Sequence, residues 1–261
     1  MENNTQKTNS FQQGQPLDFS LIIEKSFENF KKIALLGGLA ILLLVTLLFG
    51  VAFVAAAAFM GAAENLTETL TNFNMTNLSA VGMIIYVLIM IVIAGLSAPI
   101  GAGFLKMAHL AENNKPFSIG TVFDYYKTHY FKELFISASL LSIITVGLST
   151  LFEIIDISII GSILTYVIGF FTFLTVPLII FGNQTAVNAI KRSINLVVQQ
   201  PFILLGLLVV GFVGIFVGLI GLCIGIFFTM PFWYSLVYTI YSQLFPIKEI
   251  SEIEEIGTTF E

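Results

Sequence analysis

Hydrophobic and polar positions in this chain fall into long blocks rather than a short alternation. Ile33 to Ala63 carries no charge, and neither does Ala80 to Leu105. A third apolar run extends from Leu134 to Phe152 and stops at Glu153 and Asp156, and a fourth runs from Ile157 to Phe181. Pro201 to Ile247 is again uncharged. As one helix that last run would measure roughly 70 Å, against a bilayer core of about 30 Å, so it has to cross twice. Gly218, Gly221 and Gly225 mark the natural place for it to turn. The pattern predicts an all-α, polytopic membrane helix bundle with six transmembrane helices, over residues 33–60, 80–105, 134–153, 157–181, 202–221 and 224–246. They form one membrane domain over 18–247. A disordered polar N-terminus over 1–17 precedes it, and an acidic tail over 248–261 follows, with Glu249, Glu252, Glu254 and Glu255.

Three shorter stretches have a different period. Phe19, Ile22, Ile23, Phe27 and Phe30 recur at helical spacing before the first span, with Glu24, Lys25, Glu28 and Lys31 between them. Ile119, Val122, Phe123, Tyr126 and Tyr130 do so before the third, and Val187, Ile190, Ile194 and Val197 before the fifth. Helices of this kind lie in the headgroup plane with the apolar side down. The predicted unit is an in-plane helix, a span, an outer turn and a second span, used three times.

Composition narrows the picture. Hydrophobic residues make up 57% of the chain and charged residues 10%, where a globular domain carries about 25% charge. That excludes a disordered or collagenous chain. The single cysteine, Cys223, excludes a disulfide scaffold, and a net charge of -5 argues against nucleic acid as a partner. Charge placement adds an orientation. Lys7, Lys25, Lys31 and Lys32 precede span one; Lys106, Lys115, Lys127 and Lys132 lie between spans two and three; Lys191, Arg192 and Lys248 follow spans four and six. All 11 basic residues fall on one side, which predicts a multi-pass membrane protein with both termini cytoplasmic. The N-terminus does not read as a cleavable signal, because the first apolar run is far longer than a signal's apolar core.

The even-numbered spans share a short pattern of apolar, hydroxyl, apolar, proline, apolar: Leu96-Ser97-Ala98-Pro99-Ile100, Leu174-Thr175-Val176-Pro177-Leu178 and Phe228-Thr229-Met230-Pro231-Phe232. Proline removes a backbone donor and bends the helix. A neighbouring hydroxyl can then serve the freed backbone groups where there is no water. Ser97, Pro99, Thr175, Pro177, Thr229 and Pro231 are therefore the candidate site residues, expected at similar depth around one central cavity. Each unit enters and leaves on the same side, so the repeat is parallel, unlike the inverted repeats of many secondary transporters.

These motifs, with Phe19 to Phe27 (an FxxxxxxSF pattern), Ala189-Ile190-Lys191-Arg192-Ser193 and the closing Cys223 to Pro231 (Cys-x-Gly-x-x-x-Thr-x-Pro), resemble a group of bacterial six-span proteins. These are similar to the membrane domain attached to some glycerophosphodiester phosphodiesterases, and some carry the label beta-carotene monooxygenase. The resemblance covers roughly residues 18 to 247 and implies a fold, not an activity.

The residues themselves offer little chemistry. Carotenoid-cleaving oxygenases of the propeller type hold iron with four histidines, whereas this chain has two, His109 and His129, both expected on the loop between spans two and three. There is no G-x-S-x-G elbow and no H-E-x-x-H. Gly101-x-Gly103 follows a proline rather than a strand. No acidic or basic residue lies well inside a span, so no ion path is marked. Gly214-x-x-x-Gly218 and Gly221-x-x-x-Gly225 permit close helix approach. The sequence thus predicts a non-enzymatic scaffold or lipid-environment protein without metal or cofactor. Its partners would be the lipid bilayer and a protein at the cytoplasmic face, with oligomeric state left open. The alternative is a transporter or channel-like protein for an uncharged or lipidic molecule.

Overall fold

The computed structural model describes residues 17–60, 79–221 and 225–245, and all secondary structure among them is helical. Lys7, the outer turn from Glu64, Cys223 and the acidic tail lie outside the described residues.

Helix α1 (Phe19–Met60) is unbroken over 42 residues, about 63 Å. The first amphipathic stretch and the first apolar run, expected as an in-plane helix followed by a span, are one rod. The junction Lys31-Lys32-Ile33-Ala34 contains neither proline nor glycine, so no backbone feature divides it. α2 (Ala80–Glu112) begins at Ser79, whose side chain accepts the Gly82 N–H. It continues past Leu105 to Glu112, because charge ends an apolar run without ending a helix. It stops where Asn114 takes φ 53° and Pro116 follows.

A 3-10 helix (Ile119–Lys127) follows, and Thr121, Val122 and Tyr125 are its buried face. α3 (Tyr130–Ile154) and α4 (Ser158–Thr172) form a hairpin whose tight turn contains Asp156 at φ 59°. Ser149 and Thr165 hydroxyls meet across it at 3.0 Å. After a break at Phe173–Leu174 comes α5 (Thr175–Ile180). The amphipathic α6 (Ala186–Gln199) meets α7 (Pro201–Val217) at 102°. This corner is what an in-plane helix feeding a span requires. A short 3-10 turn (Gly218–Gly221) leads towards α8 (Gly225–Thr229) and α9 (Pro231–Leu244).

Among the described residues four helical stretches are long and apolar enough to cross a membrane, and five if the bent α6–α7 pair counts as one. In the described part of the run expected over 224–246, helices of 5 and 14 residues flank Met230, which keeps helical φ and ψ and whose N–H bonds the Ile226 carbonyl at 2.9 Å.

The core sits at the end where the lysines gather. Ile22 and Ile33 of α1, Met107 of α2, Leu134 of α3, Leu178 of α5, Leu207 of α7 and Leu236 of α9 are all buried there. Towards the opposite end the helices present apolar surface outward: Phe49 is 73% exposed, Val81 66% and Ile159 76%. Water would not tolerate so large a continuous apolar surface. Lipid does, and the architecture is that of an all-α, membrane-compatible bundle. Lys32 of α1 helps to close the basic end. Its ammonium donates to the Ala111 carbonyl (2.9 Å) and to Asn114 Oδ1 (2.8 Å), a cation at the carbonyl end of α2 where the helix dipole favours one.

Candidate functional site

All three repeated prolines are buried, but their surroundings differ. Pro99 stays within the continuous α2. Pro177 is the third residue of α5, just past the Phe173–Leu174 break, and Pro231 opens α9. None of the motif hydroxyls donates to the carbonyl four residues before its proline. Ser97 is exposed and bonds the Ile93 carbonyl at 2.7 Å within its own helix. Thr229 donates to Ile215 of α7 at 2.8 Å and to Ile226 at 3.2 Å. The Thr175 hydroxyl is buried without a partner.

The break before Pro177 is served instead by Ser193 of α6. Its hydroxyl donates to the Phe171 carbonyl (2.9 Å) and accepts the Leu174 N–H (3.2 Å). Nothing in α4 or α5 announces that role; the serine lies within the Ala189 to Ser193 motif. At Pro99 the neighbouring Leu96 carbonyl takes the Tyr126 hydroxyl from the 3-10 helix. Sequence reasoning paired each hydroxyl with the proline beside it, whereas the fold draws partners from other segments.

Beyond the prolines, the basic ends of α2 and α9 form a polar and aromatic cluster. His109 is not on a loop: it occupies the last turn of α2. Helical spacing puts His109, Glu112 and Asn113 on one face, and Tyr238 and Tyr241 on the facing side of α9. Tyr238 is 1% exposed. Its hydroxyl donates to Glu112 Oε2 and lies 3.0 Å from His109 Nδ1. A phenol has one proton to give, here to the carboxylate, and the Asn113 side-chain nitrogen also lies 3.4 Å from His109 Nδ1. The Phe181 ring closes the cluster, 5.3 Å from His109, 5.6 Å from Tyr238 and 5.6 Å from Tyr241. Arg192 of α6 lies over the Phe245 ring at 5.3 Å. Sequence reading missed this constellation, although the i, i+3 pair His109 and Glu112 facing a tyrosine stripe was a readable signal.

Two further polar contacts fix the surrounding helices. Glu133, in the first turn of α3, accepts the Ala186 N–H at 2.8 Å, so one carboxylate sits at the positive ends of both α3 and α6. Asn29 Nδ2 donates to the Ala108 carbonyl at 2.8 Å, and the Ser235 hydroxyl to that of Ser26 at 2.7 Å, tying α1 to α2 and α9. In the 3-10 helix, burial pushes the Tyr125 and Tyr126 phenols above their ordinary range, with Tyr130 and Asp124 adding to the shift at Tyr125. Both phenols stay neutral at physiological pH.

His129 lies at the start of α3, its ring against Tyr130, and is not part of the cluster. Among the described residues no three His, Cys, Asp or Glu side chains are grouped to hold a metal ion. The arrangement ties the end of α2 to α9 through Tyr238, Glu112 and His109. No family model, no curated protein and no solved structure matches this chain.

Proposed function

We propose that this chain is a six-span, three-unit integral protein of the bacterial cytoplasmic membrane, with both termini in the cytoplasm. In this reading it acts without catalysis, as a scaffold or lipid-environment protein whose working surface is its basic end. It would belong with the six-span proteins that its motifs resemble. The observation that carries the reading is the one-sidedness of the packing. Side chains fill the basic end, where Asn29, Ser235 and Tyr238 bond other helices, whereas the other end turns plain apolar surface outward. The α6–α7 corner supports an in-plane helix before the fifth span. The transporter reading draws its support from one feature, the partnerless Thr175 hydroxyl beside Pro177.

Topology tests the proposal. In a Cys223→Ser background, a cysteine introduced by Asn74→Cys reacts with a membrane-impermeant thiol reagent in intact cells. One introduced by Lys115→Cys reacts only after permeabilisation. The opposite pattern overturns the orientation, and with it the assignment of the basic end as the cytoplasmic surface.

A further inference from the structure

The 3-10 helix and the start of α3 carry four aromatic rings in a row. Centroids are 6.3 Å apart from Phe123 to Tyr126, 5.9 Å from Tyr126 to Phe131 and 6.0 Å from Phe131 to Phe135. The row is fixed from behind. Val122 and Tyr125 are buried beneath it, and the Tyr126 hydroxyl is held by the Leu96 carbonyl. The Phe135 ring lies against Gly95, where a Cβ would come within 2.6 Å of it. In front the row is open: Phe123 is 45% exposed, and the other three rings are half-buried.

The charges around this row do not cancel. Asp124 is taken by Lys106 at 2.7 Å, and Glu133 is turned to the Ala186 N–H. Lys127 and Lys132 are exposed beside the row, and among the described residues neither has an acidic partner. An ordinary interfacial aromatic belt anchors a protein without choosing a headgroup. Here Phe131 and Phe135 lie about 6 Å apart along the α3 axis, and the exposed Lys127 and Lys132 flank Phe131 in sequence.

We propose that this surface binds an anionic phospholipid. The phosphate lies between Lys127 and Lys132, and an acyl chain lies along Phe123, Tyr126, Phe131 and Phe135. This rests on the reading of the basic end as the cytoplasmic headgroup side. Each lysine near an anionic leaflet is worth about fivefold in favour of acidic lipid, so two together favour it over a zwitterionic lipid by about twenty-five-fold.

The test uses the full chain in vesicles. Trp233 is the only tryptophan, so Trp233→Phe with Phe131→Trp places one reporting indole in the row. Phe123→Trp, at an exposed position, serves if Phe131→Trp does not fold. Quenching is compared between vesicles of phosphatidylcholine containing the same fraction of brominated phosphatidylglycerol or brominated phosphatidylcholine. The expected result is at least about tenfold preference for the brominated anionic lipid, falling to within about twofold in Lys127→Gln/Lys132→Gln. Equal quenching by the two lipids overturns the headgroup site while leaving the membrane placement intact. A preference that survives the double lysine change also overturns it, since the general surface charge would then be the cause. No quenching by either lipid removes the membrane placement of this surface itself.

Discussion

Gly101 and Gly103 sit two residues apart in α2, and alanine at each should act in opposite directions. A Cβ on Gly103 would meet the Val122 carbonyl oxygen at 2.2 Å and its Cα at 2.5 Å. These are backbone atoms of the 3-10 helix and cannot rotate away. The segment would have to retreat by about 1 Å to restore normal contact. Such overpacking costs about 1–3 kcal/mol. If the segment undocks instead, the burial of Val122 is lost, at about 1.5–3 kcal/mol. Either loss outweighs the gain of up to about 1 kcal/mol from replacing a helical glycine. A Cβ on Gly101 meets nothing nearer than Tyr234 Cε1 at 3.8 Å, so there the propensity gain stands alone. Gly103→Ala is therefore expected to destabilise by about 1–2 kcal/mol and Gly101→Ala to stabilise by about 0.5–1 kcal/mol. Unfolding in mixed micelles with increasing SDS, followed by Trp233 fluorescence, measures both. Two shifts of the same sign would refute the close docking of the 3-10 helix on α2.

Ser193→Ala should cost about 2 kcal/mol, because it removes two hydrogen bonds at the buried α4–α5 break. Thr175→Val, which deletes a hydroxyl without a partner, should be neutral or stabilising by up to about 1 kcal/mol; the same SDS titration ranks the pair, and the reverse order would contradict the assignment. Tyr238→Phe should cost about 1–2 kcal/mol by removing the phenol's bonds to Glu112 and His109. The imidazole Nδ1 resonance of His109 should shift in nitrogen NMR of selectively labelled protein; an unchanged resonance would place the bond elsewhere.

The apolar blocks made the helices legible, and the tight turn near Asp156 and the α6–α7 corner follow from residues that a reader of the sequence can point to. Continuity was not legible. Hydropathy reports where a chain changes solvent, while a helix ends only where its hydrogen bonds fail. α1 therefore ignores the Lys31-Lys32 boundary, and α2 runs on through His109 to Glu112. The cluster at the basic end was missed for a related reason. His109 and Tyr238 are 129 positions apart, and only the packing of α2 against α9 brings them together, which no local pattern encodes.

The repeated prolines can be understood from the same physics. On the first two proline-bearing stretches the exposed apolar surface lies on the far side of the proline and the packed residues on the basic side: Val81 to Leu96 against Ala102 to Ala111, and Ile159 to Val167 against Leu174 to Ile180. A proline surrounded by lipid would leave a carbonyl with no donor in reach, at a cost of several kcal/mol in hydrocarbon. At the edge of the packed half, donors are available from elsewhere in the chain. Tyr126 reaches the α2 backbone and Ser193 the α4–α5 break, while Thr229 serves the end of α7. What the pattern repeats is thus not a shared job for the hydroxyl. Pro99 and Pro177 stand where a helix passes from outward apolar surface to packed residues.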